Sequence, residues 1–397
     1  MLRSLDDDSV AILRERLPQE EDGAVRRQME VVLAMADLAS EDATIRLAAV
    51  ETLAGELHPD IYNRLNAIAQ PAEDGSYAEQ DVAVRMAAAE AVRKIESSRN
   101  VYGLLENLFF GLSLGSVLVL AAIGLAITFG VMGVINMAHG ELMMLGAYTT
   151  YVIQLLMPDH IGASIIVAIP AAFVVGALAG VAIERGVVRF LYGRPLETLL
   201  ATFGISLILQ QLVRSIFSPN NRAVATPEWM SGSLVINDAF SITYNRLYIV
   251  IFTLIVFVLL QLILRKTTLG LKVRAVAQNR SMAKAMGVRT EWIDAMTFGL
   301  GSGVAGVAGV ALSQLTNVGP NLGQSYIIDS FMVVVFGGVG NLWGTLISGM
   351  SLGAAEKFIE PWAGAVLAKI LVLVFLILFI QRKPRGLFPQ KGRAAEG

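Results

Sequence analysis

The chain has 397 residues, of which 55% are hydrophobic and only 16% are charged. This composition excludes a disordered protein, and a mean hydropathy of +0.61 argues against a purely soluble one. The absence of cysteine excludes disulfides and thiolate metal sites, and the three histidines are scattered along the chain. We therefore predict no metal site, no cofactor and no catalytic residues.

Charge divides the chain into two parts. Residues 1–100 carry 11 basic and 20 acidic side chains, whereas residues 101–397 carry 20 basic and 13 acidic ones. We predict an acidic helical extension over 1–100 and a basic, very apolar domain over 101–397. The boundary is expected near residues 97–100.

The acidic extension is rich in Ala, Leu, Glu and Arg, which favours helices. Related short segments begin at Asp22, Asp42 and Asp81, and the last two lie 39 residues apart, close to the period of HEAT-type helical pairs. This repeat predicts an aspartate cap before each helix, an arginine on the outer face and a HEAT-like stack. An ordinary Ala-rich bundle is the alternative. Either structure would serve as a scaffold or docking surface.

The second part predicts an all-α polytopic membrane helix bundle, because it contains a series of uncharged apolar stretches of about the length that spans a bilayer. We predict about eight membrane elements, some of them broken, at 104–130, 134–157, 163–184, 196–217, 246–264, 294–315, 326–358 and 363–381. The element at 326–358 is interrupted by glycines and is either one broken helix or two half-spans.

Basic residues predict the orientation. Segments 185–194, 265–291 and 382–397 are basic and are placed in the cytoplasm, whereas 218–245 is placed outside. Counting spans backwards then puts the acidic extension outside, in the periplasm. Three basic residues beside the first span and the lack of a visible signal peptide argue against this placement. If the extension is outside, we expect that a signal is missing from this form of the chain.

The segment 133–142 gathers Asn136, His139 and Glu141 between apolar stretches. Polar groups at membrane depth are costly unless they face protein or water, so these residues are candidates for a translocation pathway. The alternative is a cytoplasmic turn between two spans.

The segment 267–288 is basic and lies between two predicted spans. We predict one short helix from Leu271 to Met286 that ends at Gly287, with small and methionine residues on one face. Such a helix could dock into a groove on another protein. The alternative is a basic loop that only fixes the topology.

Glycines mark two further segments. Gly337, Gly338, Gly340 and Asn341 suggest a broken helix that lines a pathway, with close helix packing as the alternative. The glycines between 299 and 309 are assigned to helix packing. We place Glu356, Lys357 and Lys369 near a membrane face and expect Asp329 to lie deeper, with a cap for the helix that follows it as the alternative.

Three segments together resemble the permease subunits of bacterial ABC importers for branched-chain amino acids and urea. They are GVINMAHGELMMLGAY at 133–148, TLGLKVRAVAQNRSMAKAMGV at 268–288 and VFGGVGNLWGTLISG at 335–349. The resemblance covers about residues 103–390. The acidic extension resembles the urea-type branch, whose first permease is the longer one.

The resemblance implies an inner-membrane, multi-pass permease without enzymatic activity of its own and with a cytoplasmic C-terminus. The implied partners are cytoplasmic ABC ATPase subunits, a second homologous permease, a periplasmic solute-binding protein and membrane lipid, with no nucleic acid. The chain contains no phosphate-binding loop of the G-x-x-x-x-G-K-[ST] type, so energy has to come from another chain. The coupling helix that contacts the ATPase would be formed by Arg274, Ala275, Gln278, Asn279, Ala283, Met286 and Gly287.

We expect urea or a short-chain amide to be the substrate, with a branched-chain amino acid as the alternative. A pathway for urea needs paired donors and acceptors. The expected pathway residues are Asn136, His139, Glu141, Thr202, Gly337, Gly338, Gly340 and Asn341. A stand-alone channel or secondary transporter is the alternative of another class.

Overall fold

The structure is a computed structural model that describes residues 7–71 and 75–388. Of the described residues, those up to 106 and those from 234 to 242 form one compact unit, and those at 107–233 and 243–388 form the other. Helix α5 runs without interruption through the boundary that the sequence predicted at 97–100. We call the two parts the N-terminal unit and the membrane unit.

The N-terminal unit contains four short helices, the first part of a long one and most of a β-hairpin. Its elements are α1 (Asp7–Arg16), α2 (Gly23–Asp37), α3 (Ala43–Leu53), α4 (Pro59–Ala69), α5 (Val82–Met132), β1 (Ser233–Asn237) and β2 (Phe240–Thr243). Met35, Val50, Leu53, Ile61 and Leu65 are fully buried and hold these helices together. The HEAT-like arrangement stays a prediction.

The predicted aspartate caps are confirmed. The side chains of Asp22, Asp42 and Asp81 accept backbone hydrogen bonds of 2.8 Å from the residue two positions further on. The predicted outward arginine is wrong for Arg46, which makes two hydrogen bonds of 2.6 and 2.8 Å to the carboxylate of Glu79. Arg46 also donates to the carbonyl oxygens of Ser40 and Glu41, so it ties three segments together.

The Arg46–Glu79 pair makes the N-terminal unit sensitive to acid. The hydrogen bond from Arg46 holds the pKa of the Glu79 carboxyl below its usual range. Because folding lowers this pKa, the stabilisation is present at neutral pH and is lost as the pH falls through the lowered value. In hydrogen exchange by mass spectrometry, Glu79→Gln is expected to speed exchange in α2 and α3 roughly tenfold at about pH 7. At a pH below the lowered pKa the wild type and the variant should exchange alike. An equal difference at both pH values would contradict this assignment.

The membrane unit contains the rest of α5 and nine further α-helices within the described residues. They are α6 (His139–Leu156), α7 (Ile161–Gly186), α8 (Pro195–Phe217), α9 (Tyr244–Lys266), α10 (Thr268–Gln278), α11 (Arg280–Ala285), α12 (Thr290–Ser313), α13 (Leu322–Gly337) and α14 (Leu342–Arg382). Of the helices in the described part of the chain, α5, α7, α8, α9, α12 and α14 are long and apolar enough to cross a membrane. The expectation of a polytopic helical bundle is confirmed.

The glycine-rich helix α12 is the centre of this unit, and nearly all of its residues are buried. It packs against α6 and α7. A Cβ atom added at Gly309 would lie 2.0 Å from the carbonyl oxygen of Met143, and one at Gly306 would lie 2.3 Å from that of Ala172. The prediction that these glycines pack helices closely is confirmed.

The predicted element at 326–358 is divided between two helices. Helix α13 ends at Gly337, and α14 begins at Leu342 after a break in which Gly338 and Gly340 have φ angles of 101° and 81°. Helix α14 then continues through the predicted gap at 359–362. It changes direction at Gly364, where φ is 77° and the backbone is no longer helical.

Candidate functional site

A polar cluster forms where α6 begins. The chain leaves α5 at Gly133, whose φ of 67° favours glycine, and residues 133–136 are irregular. Asn136 is fully buried, and its Oδ1 accepts a 3.0 Å hydrogen bond from the backbone N–H of Ala138. The Nε2 atom of His139 donates to the carbonyl oxygen of Ala121 at 2.9 Å.

Helix α8 supplies the other side of this cluster. Its polar residues recur every four positions and are all buried, which places them on one face of the helix; they are Thr198, Thr202, Ser206 and Gln210. We call them the α8 polar stripe. The backbone N–H of Met137 donates to Thr202 Oγ1 at 3.1 Å. This bond provides a partner for one of the backbone groups that the irregular segment leaves outside a helix.

Glu141 is held by the same stripe. Ser206 Oγ and Gln210 Nε2 donate to its Oε1 at 2.9 and 2.8 Å. Within the described part of the chain, Glu141 Oε2, Asn136 Nδ2 and His139 Nδ1 are buried and have no hydrogen-bond partner. The structure therefore brings Glu141 and the segment that carries Asn136 against α8 and its Thr202, whereas the side chain of His139 contacts Ala121 of α5. Sequence reasoning missed Ser206 and Gln210, although their four-residue spacing from Thr202 was a usable signal.

The glycine-rich segment at 337–341 lies elsewhere. Gly337 packs directly against Gly344, because a Cβ atom on Gly337 would lie 2.5 Å from the Gly344 carbonyl group. Asn341 caps α14 by accepting from the backbone N–H of Gly344 at 3.1 Å, and it donates to the carbonyl oxygen of Phe388 at 3.2 Å. The segment thus ends one helix and starts the next, and it does not join the cluster at Glu141.

The basic segment 268–287 differs from its predicted form. The expected single helix is two helices, α10 and α11, because Asn279 has φ −153° and ψ 100° and uses its side chain to cap α11. Its Oδ1 accepts from the backbone N–H of Met282 at 2.9 Å. The predicted terminating glycine is confirmed, since Gly287 has a φ of 85°. We call α10 and α11 together the coupling segment.

Two sets of contacts anchor the coupling segment to the membrane unit. Val273 and Val276 are buried beneath α10, and Ala283 is buried beneath α11. The guanidinium of Arg280 forms a two-pronged ion pair with Asp294 in α12 and lies 3.9 Å from the centre of the Tyr192 ring.

The coupling segment and the turn that follows it expose three large apolar side chains. Leu271, Met282 and Met286 are 61%, 60% and 79% exposed. Exposed apolar side chains in a basic segment are typical of a docking surface. A cavity of about 250 Å³ is lined by residues of this segment, including Arg274 and Ala277, and by Gly340, Asn341 and Trp343. The helix break at 338–341 is therefore next to the coupling segment.

The comparisons with known proteins agree on one family. The family described as branched-chain amino acid transport system, permease component, matches residues 107–380. The chain is 31% identical over 297 residues to the high-affinity branched-chain amino acid transport system permease protein BraD of Pseudomonas aeruginosa, a match that covers 72% of this chain and 96% of BraD. No solved structure matches the chain.

Two further relatives carry a similar description. The LivH permease protein of Escherichia coli K12, from a high-affinity branched-chain amino acid transport system, is 32% identical over 71% of this chain and 94% of its own length. The probable branched-chain amino acid transport permease protein LivH of Methanocaldococcus jannaschii is 27% identical over 68% of this chain and 88% of its own length.

Proposed function

This chain belongs to the permease family of branched-chain amino acid transport systems, and from that premise we propose that it is the membrane-spanning subunit of an ABC importer for branched-chain amino acids. The observation that carries the proposal is the family match over residues 107–380, and the exposed apolar side chains of the coupling segment support it. The first expectation from the sequence, urea, loses its support because the relatives reported above are named for branched-chain amino acids.

The partners follow from this role. Cytoplasmic ATPase subunits supply the energy and dock on Leu271, Met282 and Met286, which face away from the membrane unit's core. A periplasmic solute-binding protein delivers the substrate, and a second permease completes the channel in the surrounding lipid. The predicted coupling residues fall into two groups, one buried and one exposed. Ala283 points inward and anchors the segment, whereas Arg274, Ala275, Gln278, Asn279, Met286 and Gly287 are exposed.

Two contacts would carry motion from the ATPases into the membrane. The Arg280–Asp294 pair links α11 to α12, so a displacement of the coupling segment acts directly on the central helix. The cavity shared with Gly340 and Asn341 places α10 against the break between α13 and α14. Such discrete elements can switch between two arrangements when nucleotide binding biases one of them.

The charge pattern and the units of the structure support one orientation. Helices α7, α9 and α14 carry basic residues in their last turns, which we place in the cytoplasm. Residues 234–242 lie between α8 and α9 in the segment that we place outside, and they share a compact unit with residues 1–106. In this unit Tyr102 stacks on Phe240 with ring centres 6.3 Å apart. The N-terminal unit is therefore assigned to the periplasm.

Uptake assays test the proposed function. Cells that lack their own leucine importers and express this chain with its ATPases, second permease and binding protein should take up radiolabelled L-leucine, and removal of the ATPases should abolish uptake. Leucine uptake that persists without the ATPases would favour the channel or secondary transporter. Uptake of urea without uptake of leucine would restore the urea assignment.

A further inference from the structure

A polar cavity of about 490 Å³ lies between α5, α13 and α14, away from the Glu141 cluster. This volume lies within the roughly 300–1,000 Å³ typical of small-molecule sites. Three charged side chains line it, Asp329 from α13 and Glu356 and Lys369 from α14, and Leu114 and Leu118 of α5 form an apolar wall. Charged groups that face a cavity among membrane-spanning helices are functional candidates.

Asp329 is the central group. It is 5% exposed, and its Oδ2 accepts a 2.7 Å hydrogen bond from Lys369 Nζ. Its Oδ1 is buried and has no hydrogen-bond partner among the described residues. A buried carboxylate oxygen without a partner is costly, so one ion pair leaves this group only half satisfied. Asp329 therefore retains an acceptor for a further donor.

Lys369 has the complementary capacity. An ammonium group has three N–H donors, and the bond to Asp329 uses one of them. Its side chain is 48% exposed, so the remaining donors are accessible. With Glu356 the cavity holds two carboxylates and one ammonium, which together offer acceptors for a cationic group and donors for an anionic one.

A chain of polar contacts links the cavity lining to the α8 polar stripe. Asn321 lines the cavity and accepts a 2.7 Å hydrogen bond from Arg214 on α8. Arg214 in turn lies 3.5 Å from Oε1 of Gln210, the residue that donates to Glu141. Polar groups thus continue from the cavity to the cluster of predicted pathway residues.

We propose that this cavity binds an aliphatic amino acid in transit, with its carboxylate at Lys369, its ammonium between Asp329 and Glu356, and its side chain against Leu114 and Leu118. The inference rests on the proposed function and adds the place and polarity of substrate recognition within this chain. A zwitterion offers an anionic group to the remaining donors of Lys369 and a cationic group to the carboxylates at once, whereas urea carries no charge to pair with either.

Substitution of the charged residues is the first test. In the reconstituted importer with its binding protein and ATPases, Lys369→Met should lower L-leucine uptake per assembled transporter roughly tenfold or more, because a charge-assisted contact is lost. Lys357→Met is the matched control: Lys357 lies on the same helix and pairs with Glu360 at 2.5 Å, but it does not line the cavity. Its uptake should equal that of the wild type.

A charge swap separates substrate binding from a purely structural ion pair. The double variant Asp329→Lys with Lys369→Asp would rebuild a structural bridge between α13 and α14, so full recovery of leucine uptake would overturn the proposal. We expect uptake to stay at the level of Lys369→Met, because the swapped charges are displaced relative to Glu356 and the apolar wall. If the wild type takes up leucine and the Lys369→Met variant takes it up equally well, the proposal is also overturned.

Cysteine protection is the second test, and it does not depend on transport. The native chain has no cysteine, so Ser325→Cys introduces a single thiol at an exposed position on the cavity lining. L-leucine should slow its labelling by a membrane-impermeant maleimide, about tenfold at ten times the dissociation constant. Labelling at Asn220→Cys, which is exposed but outside the lining, should not change.

Two analogues of leucine test which of its charged groups the site recognises. Leucinamide lacks the carboxylate and 4-methylpentanoate lacks the ammonium, so each should protect Ser325→Cys less than leucine does. Equal protection by all three, or none by leucine, would overturn the proposal while leaving leucine transport intact. Absence of leucine uptake by the wild type would instead overturn the proposed function, and the inference with it.

Discussion

Replacing both Met282 and Met286 with aspartate should reduce leucine uptake at least about tenfold and weaken co-purification of the ATPase subunits. The two side chains are 60% and 79% exposed in the isolated chain. Buried in an interface, each would contribute about 1.5–3 kcal/mol of apolar stabilisation. A carboxylate in the same place would lose that contribution and add an unpaired buried charge.

The same substitutions should leave the chain itself folded, because exposed positions usually change the free energy of unfolding by less than about 0.5 kcal/mol. Met86→Asp is the matched control, since Met86 is 68% exposed and belongs to the N-terminal unit. Uptake and ATPase stimulation are measured for both variants. Unchanged co-purification and uptake in the Met282 and Met286 variant would place the ATPase contact elsewhere on the chain.

Gly146→Ala should destabilise the membrane unit by about 3 kcal/mol, at the upper end of overpacking effects. A Cβ atom at Gly146 in α6 would lie 1.9 Å from the carbonyl oxygen of Gly306 in α12. Because the obstacle is backbone and not a flexible side chain, the two helices would have to move apart. We expect a large loss of monodisperse protein in size-exclusion chromatography after heating.

Gly204→Ala provides the control for this substitution. Gly204 lies in α8, and no atom lies within 4 Å of a Cβ atom built there. Alanine favours a helix by roughly 0.8–1.0 kcal/mol over glycine, so this variant should be as stable as the wild type or more so. Equal heat resistance of the Gly146 and Gly204 variants would mean that α6 and α12 are not in backbone contact.

The features predicted well are those with a local cause. Apolar stretches reveal membrane helices, the glycines at 299–309 reveal close packing, and aspartates immediately before a helical segment reveal caps. Gly338 and Gly340 marked the break between α13 and α14, which also has a local cause, because a positive φ favours glycine.

The features missed depend on contacts between distant segments. Nothing near Asp329 in the sequence indicates Lys369, forty residues away, as its partner. The glycines beside Asn341 suggested a broken helix that lines a pathway, but they did not indicate that the Asn341 side chain caps α14. The division of the coupling segment at Asn279 was overlooked because both halves favour helix, and only the side-chain cap of α11 distinguishes the break.

The close helix crossings restrict which parts of the membrane unit can move. Gly124 meets Gly301, Gly140 meets Gly323 and Gly146 meets Gly306 backbone to backbone, with no side chains between them to rearrange. Helices locked in this way shift only as one rigid block. The coupling segment, tied to α12 by the Arg280–Asp294 pair, would then move this block as a whole relative to α8 and α9. Distances measured by spin labels should change most between the block and those two helices.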